Sequence, residues 1–198
     1  MRKLIVTNLI SVDGCHEGPG GNFMAMPLDP GFDAHNLASL RAASTLLLGA
    51  NTFRLFLDYW PPVAADEAAP AVEREISRLN AAIEKVVVSD TLSEEHTGAY
   101  RGTTTVVPRD RARERVAELK RGKGKAILVF GSRKMWNDLF TAGLVDEFHF
   151  VLGPGVVGGG TPAFDGGTAA PLRLLGTSTY EGSDVVVVRY AVSGTSSA

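Results

Sequence analysis

The sequence predicts an α/β protein whose mixed, mostly parallel sheet packs against helices and ends in an antiparallel hairpin. Three observations carry that prediction. Short runs rich in Val, Ile and Leu recur along the chain, segments of helical period lie between them, and the last two runs flank Gly182, Ser183 and Asp184. Several runs are apolar at successive positions, the pattern of strands covered on both faces, which sit centrally in α/β sheets. Alternating strand and helix favours parallel pairing, whereas a short polar turn between two strands requires antiparallel pairing.

The first run, residues 4–12, is a strand, and residues 11–21 after it form a glycine-rich loop, expected to be mobile, with Asp13, Gly14, Cys15, His16 and Glu17. A helix is expected over residues 32–43, with Asp33 in its first turn, where an acid suits the helix dipole. The next strand, 45–48, runs into Gly49, Asn51 and Thr52 at a strand-to-helix turn, while Trp60, Pro61 and Pro62 read as a packed turn. Val72, Ile76, Leu79 and Ile83 recur every three or four residues opposite Glu73, Arg74, Glu75 and Arg78, the pattern of an amphipathic helix.

Strands at 85–88 and 103–107 follow, then a helix over 109–121 with Val116 and Leu119 inward and its Arg and Glu residues on a solvated face. Strand 126–130 leads through Gly131 and Ser132 into a helix whose inner face is Met135, Trp136, Leu139 and Phe140, closed by Gly143. A strand at 145–152, a glycine-rich stretch and hairpin strands at 172–181 and 185–192 follow. One domain over residues 1–192 and a frayed tail over 193–198 are expected.

Composition narrows the function. With 198 residues, 44% hydrophobic and 21% charged, the chain has ordinary globular composition. At this length about 70% of the unfolded surface can be buried, so the core needs no disulfide or structural metal. A net charge of -2 leaves no basic field for nucleic acid or anionic lipid and points to a small-molecule partner. The single cysteine cannot pair within the chain, and the four histidines have no zinc-like spacing. No run approaches the ~18 apolar residues of a membrane helix, and the first strand has no cleavage pattern behind it, so a cytoplasmic protein is expected.

Two turns carry the strongest chemical signal. At Gly131 and Ser132 an apolar strand enters a helix; Ser132 stands where an N-cap belongs, and Gly131 lets a ligand approach the backbone. Free N–H groups there favour an anion, and Arg133 and Lys134 add charge. The alternative is a Ser-capped helix without a ligand. A second turn of the same kind at Gly49, Asn51 and Thr52 suits a crevice that binds a two-phosphate cofactor at strand ends. Gly153, Gly155 and Gly158 match GxGxxG after a strand, but Gly159, Gly160, Pro162, Gly166 and Gly167 cannot propagate the helix that a Rossmann site requires.

The remaining candidates are acids and loop residues. Asp13 is either a proton donor or substrate-orienting group, or a turn-forming Asp before glycine. Asp33 is a second candidate acid if its helix borders the cleft. His16 reads as an exposed loop histidine, and Cys15 has no activating partner.

Four segments taken together resemble the dihydrofolate reductase-like superfamily, in the branch of riboflavin-biosynthesis reductases represented by the RibD C-terminal domain. They are residues 2–14 (RKLIVTNLISVDG), 45–53 (TLLLGANTF), 85–92 (KVVVSDTL) and 127–160 (ILVFGSRKMWNDLFTAGLVDEFHFVLGPGVVGGG). The resemblance implies a three-layer α/β/α fold around a mixed, mostly parallel sheet of about eight strands, binding NADPH across strand ends. It would place Gly49, Asn51 and Thr52 on the cofactor's phosphate side, Ser89 near its adenosine, and Gly131, Ser132 and Arg133 at the pyrophosphate. Gly158 and Gly159 would lie close to the cofactor, and Asp13 and Gly14 beside the nicotinamide and substrate.

Where many relatives have Arg after the glycine of the second segment, this chain has Ala50, so NADPH preference would rest on Arg54, Arg133 or Lys134. The resemblance also implies a homodimer. No HxE or PCxxC ligands of a fused zinc deaminase occur in these residues. The expected activity is therefore hydride transfer from NADPH to a small heterocyclic or carbonyl-like substrate. The alternatives are a pterin or dihydrofolate reductase, with Asp33 as its acid, and a nucleotide-binding module without catalysis.

Overall fold

The computed structural model describes residues 1–193, so all but the first residue of the expected tail lies outside the described residues. Among the described residues ten strands are formed: β1 (Leu4–Ile10), β2 (Cys15–Glu17), β3 (Ala43–Gly49), β4 (Glu84–Val88), β5 (Thr104–Val107), β6 (Ala126–Phe130), β7 (Glu147–Leu152), β8 (Thr161–Pro162), β9 (Leu172–Thr179) and β10 (Val186–Val192). The α-helices are α1 (Pro30–Arg41), α2 (Ala50–Val63), α3 (Ala71–Ala82), α4 (Ala112–Arg121) and α5 (Arg133–Thr141).

Eight strands make one sheet in the order β5-β4-β3-β6-β1-β7-β10-β9. The six from β5 to β7 run parallel. Strand β10 is antiparallel to both β7 and β9, which gives the expected terminal hairpin.

Why the central runs are apolar at every position follows from the two cores. Leu47, Val86, Ile127 and Val129 pack with Val116 of α4 and Trp136, Leu139 and Phe140 of α5. Their neighbours in sequence, Leu46, Leu48, Val87, Leu128 and Phe130, pack on the other face with Leu40 of α1, Phe53 of α2 and Ile76 of α3. Successive strand residues point to opposite faces, so a strand sandwiched between two helical layers must be apolar throughout. Each such side chain, fully buried, stabilises the fold by roughly 1.5–3 kcal/mol.

Several boundaries differ from expectation. Helix α1 starts at Pro30, because Asp29 is its N-cap and accepts from the N–H groups of Gly31 (2.9 Å) and Phe32 (3.3 Å). The same carboxylate accepts from Ser183 Oγ (2.9 Å) and Asp184 N (3.0 Å), fixing the helix start to the hairpin turn. Pro61 and Pro62 fall inside the last turn of α2 instead of forming a separate turn. The segment 109–121 divides into a 3-10 turn, Arg109–Arg111, followed by α4.

The glycine-rich loop after β1 is not free. Its strand β2 pairs with β8, and Val12 N donates to Gly155 O at 2.9 Å. A Cβ on Gly160 would lie 2.2 Å from Glu17 O, so the glycine lets the two backbones meet. Among the described residues no helix is long and apolar enough to cross a membrane.

Candidate functional site

Strands β3 and β6 are neighbours in the sheet, and each passes directly into a helix at its carboxyl end. The two turns are locked together. Ser132 adopts a left-handed conformation (φ 54°, ψ 38°), which costs a non-glycine residue about 1–2 kcal/mol. Its hydroxyl does not cap α5; it accepts from Gly49 N at 2.9 Å and lies 3.0 Å from Phe130 O and 3.1 Å from Thr52 Oγ1. Ser132 N also donates to Thr52 Oγ1, at 3.1 Å. A side chain on Gly131 (φ 52°) would press on Thr52, its Cβ only 3.0 Å from that oxygen.

The lock brings two helix N-termini to one place. The first turns of α2 and α5 carry N–H groups with no intrahelical acceptor, and both line an open cleft of about 1720 Å³. Gly49, Asn51, Thr52, Gly131, Ser132 and Arg133 all lie on its wall, as does Asp33. Arg133 is less available than its charge suggests, since its guanidinium is bound to Pro162 O and paired with Asp165. Lys134 is exposed on the same wall and makes no salt bridge among the described residues.

The two helical layers charge the cleft differently. From α4, α5 and the turn before α4 come Arg109, Arg113 and Lys134 together with Asp110 and Asp138, and Asp138 pairs with Arg113 and Asp90 with Arg109. From α1 and α3 come Asp33 and Glu73, the latter accepting from Tyr59 Oη at 2.8 Å. Burial raises the Asp33 carboxyl to about 6, and the charges of Glu73 and Asp29 push it the same way. It therefore exchanges a proton near neutral pH, as a general acid must.

Several expected residues, Gly14 and Arg54 among them, are not brought to this wall. Asp13 is exposed, and its carboxylate accepts from Val157 N (3.2 Å) and Gly158 N (3.0 Å). Its hydrogen bonds, chiefly that with Ser11, hold its pKa below the ordinary value, the wrong direction for a proton donor. The structure thus makes Asp13 a tie between two loops. Gly158 and Gly159 belong to the loop that it ties and do not line the cleft. Ser89 is buried, accepting from Thr91 N (3.1 Å) and Leu92 N (3.0 Å), and it too is off the wall.

Other residues reach the cleft without having been singled out. His16 is half-buried on the wall instead of exposed; burial lowers its pKa, and its Nδ1 has no partner. Thr7, Asn8, Asn36 and Asn80 also line the cleft, each with a buried side-chain atom lacking a hydrogen bond. The signals were present: Thr7 and Asn8 interrupt an apolar strand, Asn36 lies three residues after Asp33, and Asn80 stands four after Ile76 on a helix's inner face. Trp60 belongs to the wall as well, edge-on to Tyr59 with ring centroids 4.8 Å apart.

Residues 2–187 match the family model of the RibD C-terminal domain. The chain belongs to that family. An uncharacterized Bacillus subtilis protein, YyaP, is 30% identical over 194 residues, covering 98% of this chain and 96% of its own. Among solved structures, a diaminohydroxyphosphoribosylaminopyrimidine deaminase/5-amino-6-(5-phosphoribosylamino)uracil reductase from Thermotoga maritima superposes with a TM-score of 0.65 at 13% identity, covering 96% of this chain and 56% of that one. A dihydrofolate reductase from Enterococcus faecalis complexed with NADP(H) superposes with a TM-score of 0.61 at 13% identity, covering 96% of each chain. The fold of this RibD C-terminal domain is accordingly dihydrofolate reductase-like, with the eight-stranded, mostly parallel sheet expected from its sequence.

Proposed function

We propose that this chain is an NADPH-dependent reductase that delivers a hydride to a small heterocyclic or carbonyl-like substrate. One observation carries the reading: two strand-to-helix turns, bolted together by Ser132 and Thr52, present two helix N-termini to a cleft that also holds the Asp33 carboxyl. The residues fit a dinucleotide, because paired helix N-termini suit two phosphates and the exposed Lys134 adds a positive charge. Backbone N–H groups beyond Gly49 and Gly131, with the Asn51 and Thr52 side chains, would hold the phosphate side. NADPH, when bound, supplies the hydride and its electron pair.

The chain's own part is then positioning and proton supply. Asp33 gives a proton to the substrate atom that becomes basic as the hydride arrives, and the unpartnered groups of Thr7, Asn8 and His16 orient the reacting ring by hydrogen bonds. Strand β2, held by β8, carries His16 and Glu17 on the cleft wall and limits access of water. The pterin or dihydrofolate alternative requires an acid on the first helix that faces the pocket. Asp33 meets that requirement, so dihydrofolate belongs among the substrates tried.

Fluorescence titration with NADPH and NADH tests the reading. NADPH should bind at sub-millimolar concentration, and Ser132→Asp, which sets a carboxylate against the phosphates and removes the lock, should weaken it at least about tenfold. If neither nucleotide binds, the reductase reading fails; if Ser132→Asp binds as wild type does, the two turns are not the phosphate site.

A further inference from the structure

Helix α5 leaves the Ser132 turn with two polar residues four positions apart, Arg133 and Asn137, which share one helical face. Asn137 is buried, although its helix neighbours Trp136, Leu139 and Phe140 belong to the apolar core. A carboxamide is tolerated there because both its amide atoms are engaged. Nδ2 donates to Ala163 O (3.0 Å) and Arg133 O (3.1 Å), and Oδ1 accepts from Asp165 N (3.0 Å). Arg133 turns to the same segment: its Nε donates to Pro162 O, and its guanidinium pairs with Asp165. The Phe164 ring lies edge-on to Trp136 and Phe148, with centroids 5.3 and 5.5 Å away.

Residues 161–165 are thus fastened to α5 along one side. Along the other they hold the loop after β1. Ala163 N donates to Gly14 O at 2.9 Å, Thr161 Oγ1 donates to Glu17 Oε1 at 2.7 Å, and β8 pairs with β2 at Cys15 and Glu17. His16 lies between those two paired residues, lines the cleft, and leaves Nδ1 without a partner. The stretch 153–171 contains seven glycines, so fixing its backbone is costly in entropy and needs bonds from outside. A guanidinium that turned to a cofactor phosphate would have to leave Pro162 O and Asp165, and so would loosen the segment that seats His16.

We propose that Arg133 and Asn137 are positioning residues that act through the strap 161–165: they seat β2, and with it His16, in the cleft wall. Arg133 is then a strut and not a ligand of the pyrophosphate, the place that the family resemblance implied for it. The phosphate side is left to backbone N–H groups and Lys134. The inference rests on the reductase reading only for what His16 does to a substrate; what holds His16 in place is independent of it.

The imidazoles of the full chain, titrated by NMR, test the proposal, with His16→Gln identifying the His16 signal among the four histidines. In wild type, burial first and the charge of Arg133 second keep His16 below the ordinary value of 6.5, against the pull of Glu17. Asn137→Ala cuts bonds to the strap without changing any charge, so the His16 pKa should rise toward 6.5 as water reaches the ring. The signal of His35, whose ring lies against His149 of β7, should not move, whereas a general loosening would shift both. Asn137 does not line the cleft, so NADPH affinity should stay within about twofold of wild type.

Should Asn137→Ala fail to fold, Arg133→Lys decides. It keeps the positive charge near His16 but loses the planar fork that reaches Pro162 O and Asp165 together, and His16 should shift in the same direction. His16 titrating as in wild type in the folded variant, or His35 moving with it, overturns the proposal. Neither nucleotide nor substrate enters this titration, so failure of NADPH to bind wild type sinks the reductase reading and leaves the strap assigned.

Discussion

The two ends of the parallel strands treat buried polar groups in opposite ways. At the amino ends every large cation is satisfied. Arg2 donates to Lys125 O and Thr45 Oγ1, both at 2.7 Å; Lys120 meets Asp146 at 2.7 Å and Leu144 O at 2.8 Å; Lys85 reaches Ile83 O and Thr103 Oγ1, both at 2.9 Å. Around the cleft the pattern reverses. Of the nine buried side-chain atoms without a hydrogen bond among the described residues, six belong to residues that line the cleft. An unsatisfied buried polar atom costs about 1–3 kcal/mol, so such a concentration is tolerated only where something other than folding selects it. The amino ends hold the chain together through satisfied polar groups, whereas the cleft wall leaves such groups unpaired.

The largest expected effect comes from breaking the satisfied end. Lys120→Ala leaves Asp146 without its cation and removes an almost fully buried alkyl stem. Loss of one partner of a buried pair should cost about 3 kcal/mol, a fall of roughly 6–12 °C in melting temperature. NADPH affinity should stay as in wild type, because Lys120 does not line the cleft. A variant that melts normally but loses the nucleotide would erase the distinction between the two ends.

At the open end the comparison sharpens, since one substitution should move activity and stability in opposite directions. Asp33→Asn removes the acid and should lower kcat about 100-fold, the low end of a general acid's contribution. In wild type, kcat should decline above pH 6 as the protonated form is titrated away. The stability sign follows from the raised pKa. The folded state holds this proton more tightly than the unfolded chain, so the stabilisation is complete below the ordinary value of 3.8 and is lost as pH rises through about 6. At pH 8 the ionised, half-buried carboxylate is a liability. Asn should therefore be more stable there by about 1–2 kcal/mol, after discounting for the group's partial exposure. Thermal melts at pH 5 and pH 8 read this directly, and an equal change at both would remove the shifted acid from the account.

The same contrast governs what could be read from sequence. Local rules announced the sheet: continuous apolar runs at β3, β4 and β6 reported burial on both faces, and Gly182, Ser183 and Asp184 announced the hairpin. The turns at Gly49 and Gly131 were legible because a strand, a glycine and a helix follow one another in sequence. The role of Ser132 was half legible: its position at the start of α5 was read, but its hydroxyl reaches across to Gly49 and Thr52, some eighty residues away, instead of capping its own helix.

The cleft wall formed by α1, α2 and α3 was least legible, since tertiary packing alone joins it. Asn80 looked like one polar residue in an amphipathic helix, and only the placement of α1 and α2 around it shows that both its amide atoms are buried and unpaired. His16 was misread for a related reason: pairing of β2 with β8, nearly 150 residues later, turns a glycine-rich loop into a wall.

The smallest effect is expected at Asp13, and it tests whether local sequence context or tertiary placement identifies the acid. An Asp before a glycine, just past the first strand, is where a loop acid beside a cofactor would be sought. In the structure that carboxylate is exposed, accepts two backbone N–H groups of the loop opposite, and is held in its ionised form. Asn keeps one side-chain oxygen as an acceptor while removing the charge. Asp13→Asn should therefore leave kcat within about threefold of wild type, far below the roughly 100-fold loss expected at Asp33. A modest rise in KM would fit a loosened loop, since Val157 and Gly158 are what the side chain restrains. If the two substitutions changed places, with Asp13→Asn abolishing turnover and Asp33→Asn sparing it, the acid would lie on the loop after β1, and the raised pKa at Asp33 would describe only a poorly solvated helix face.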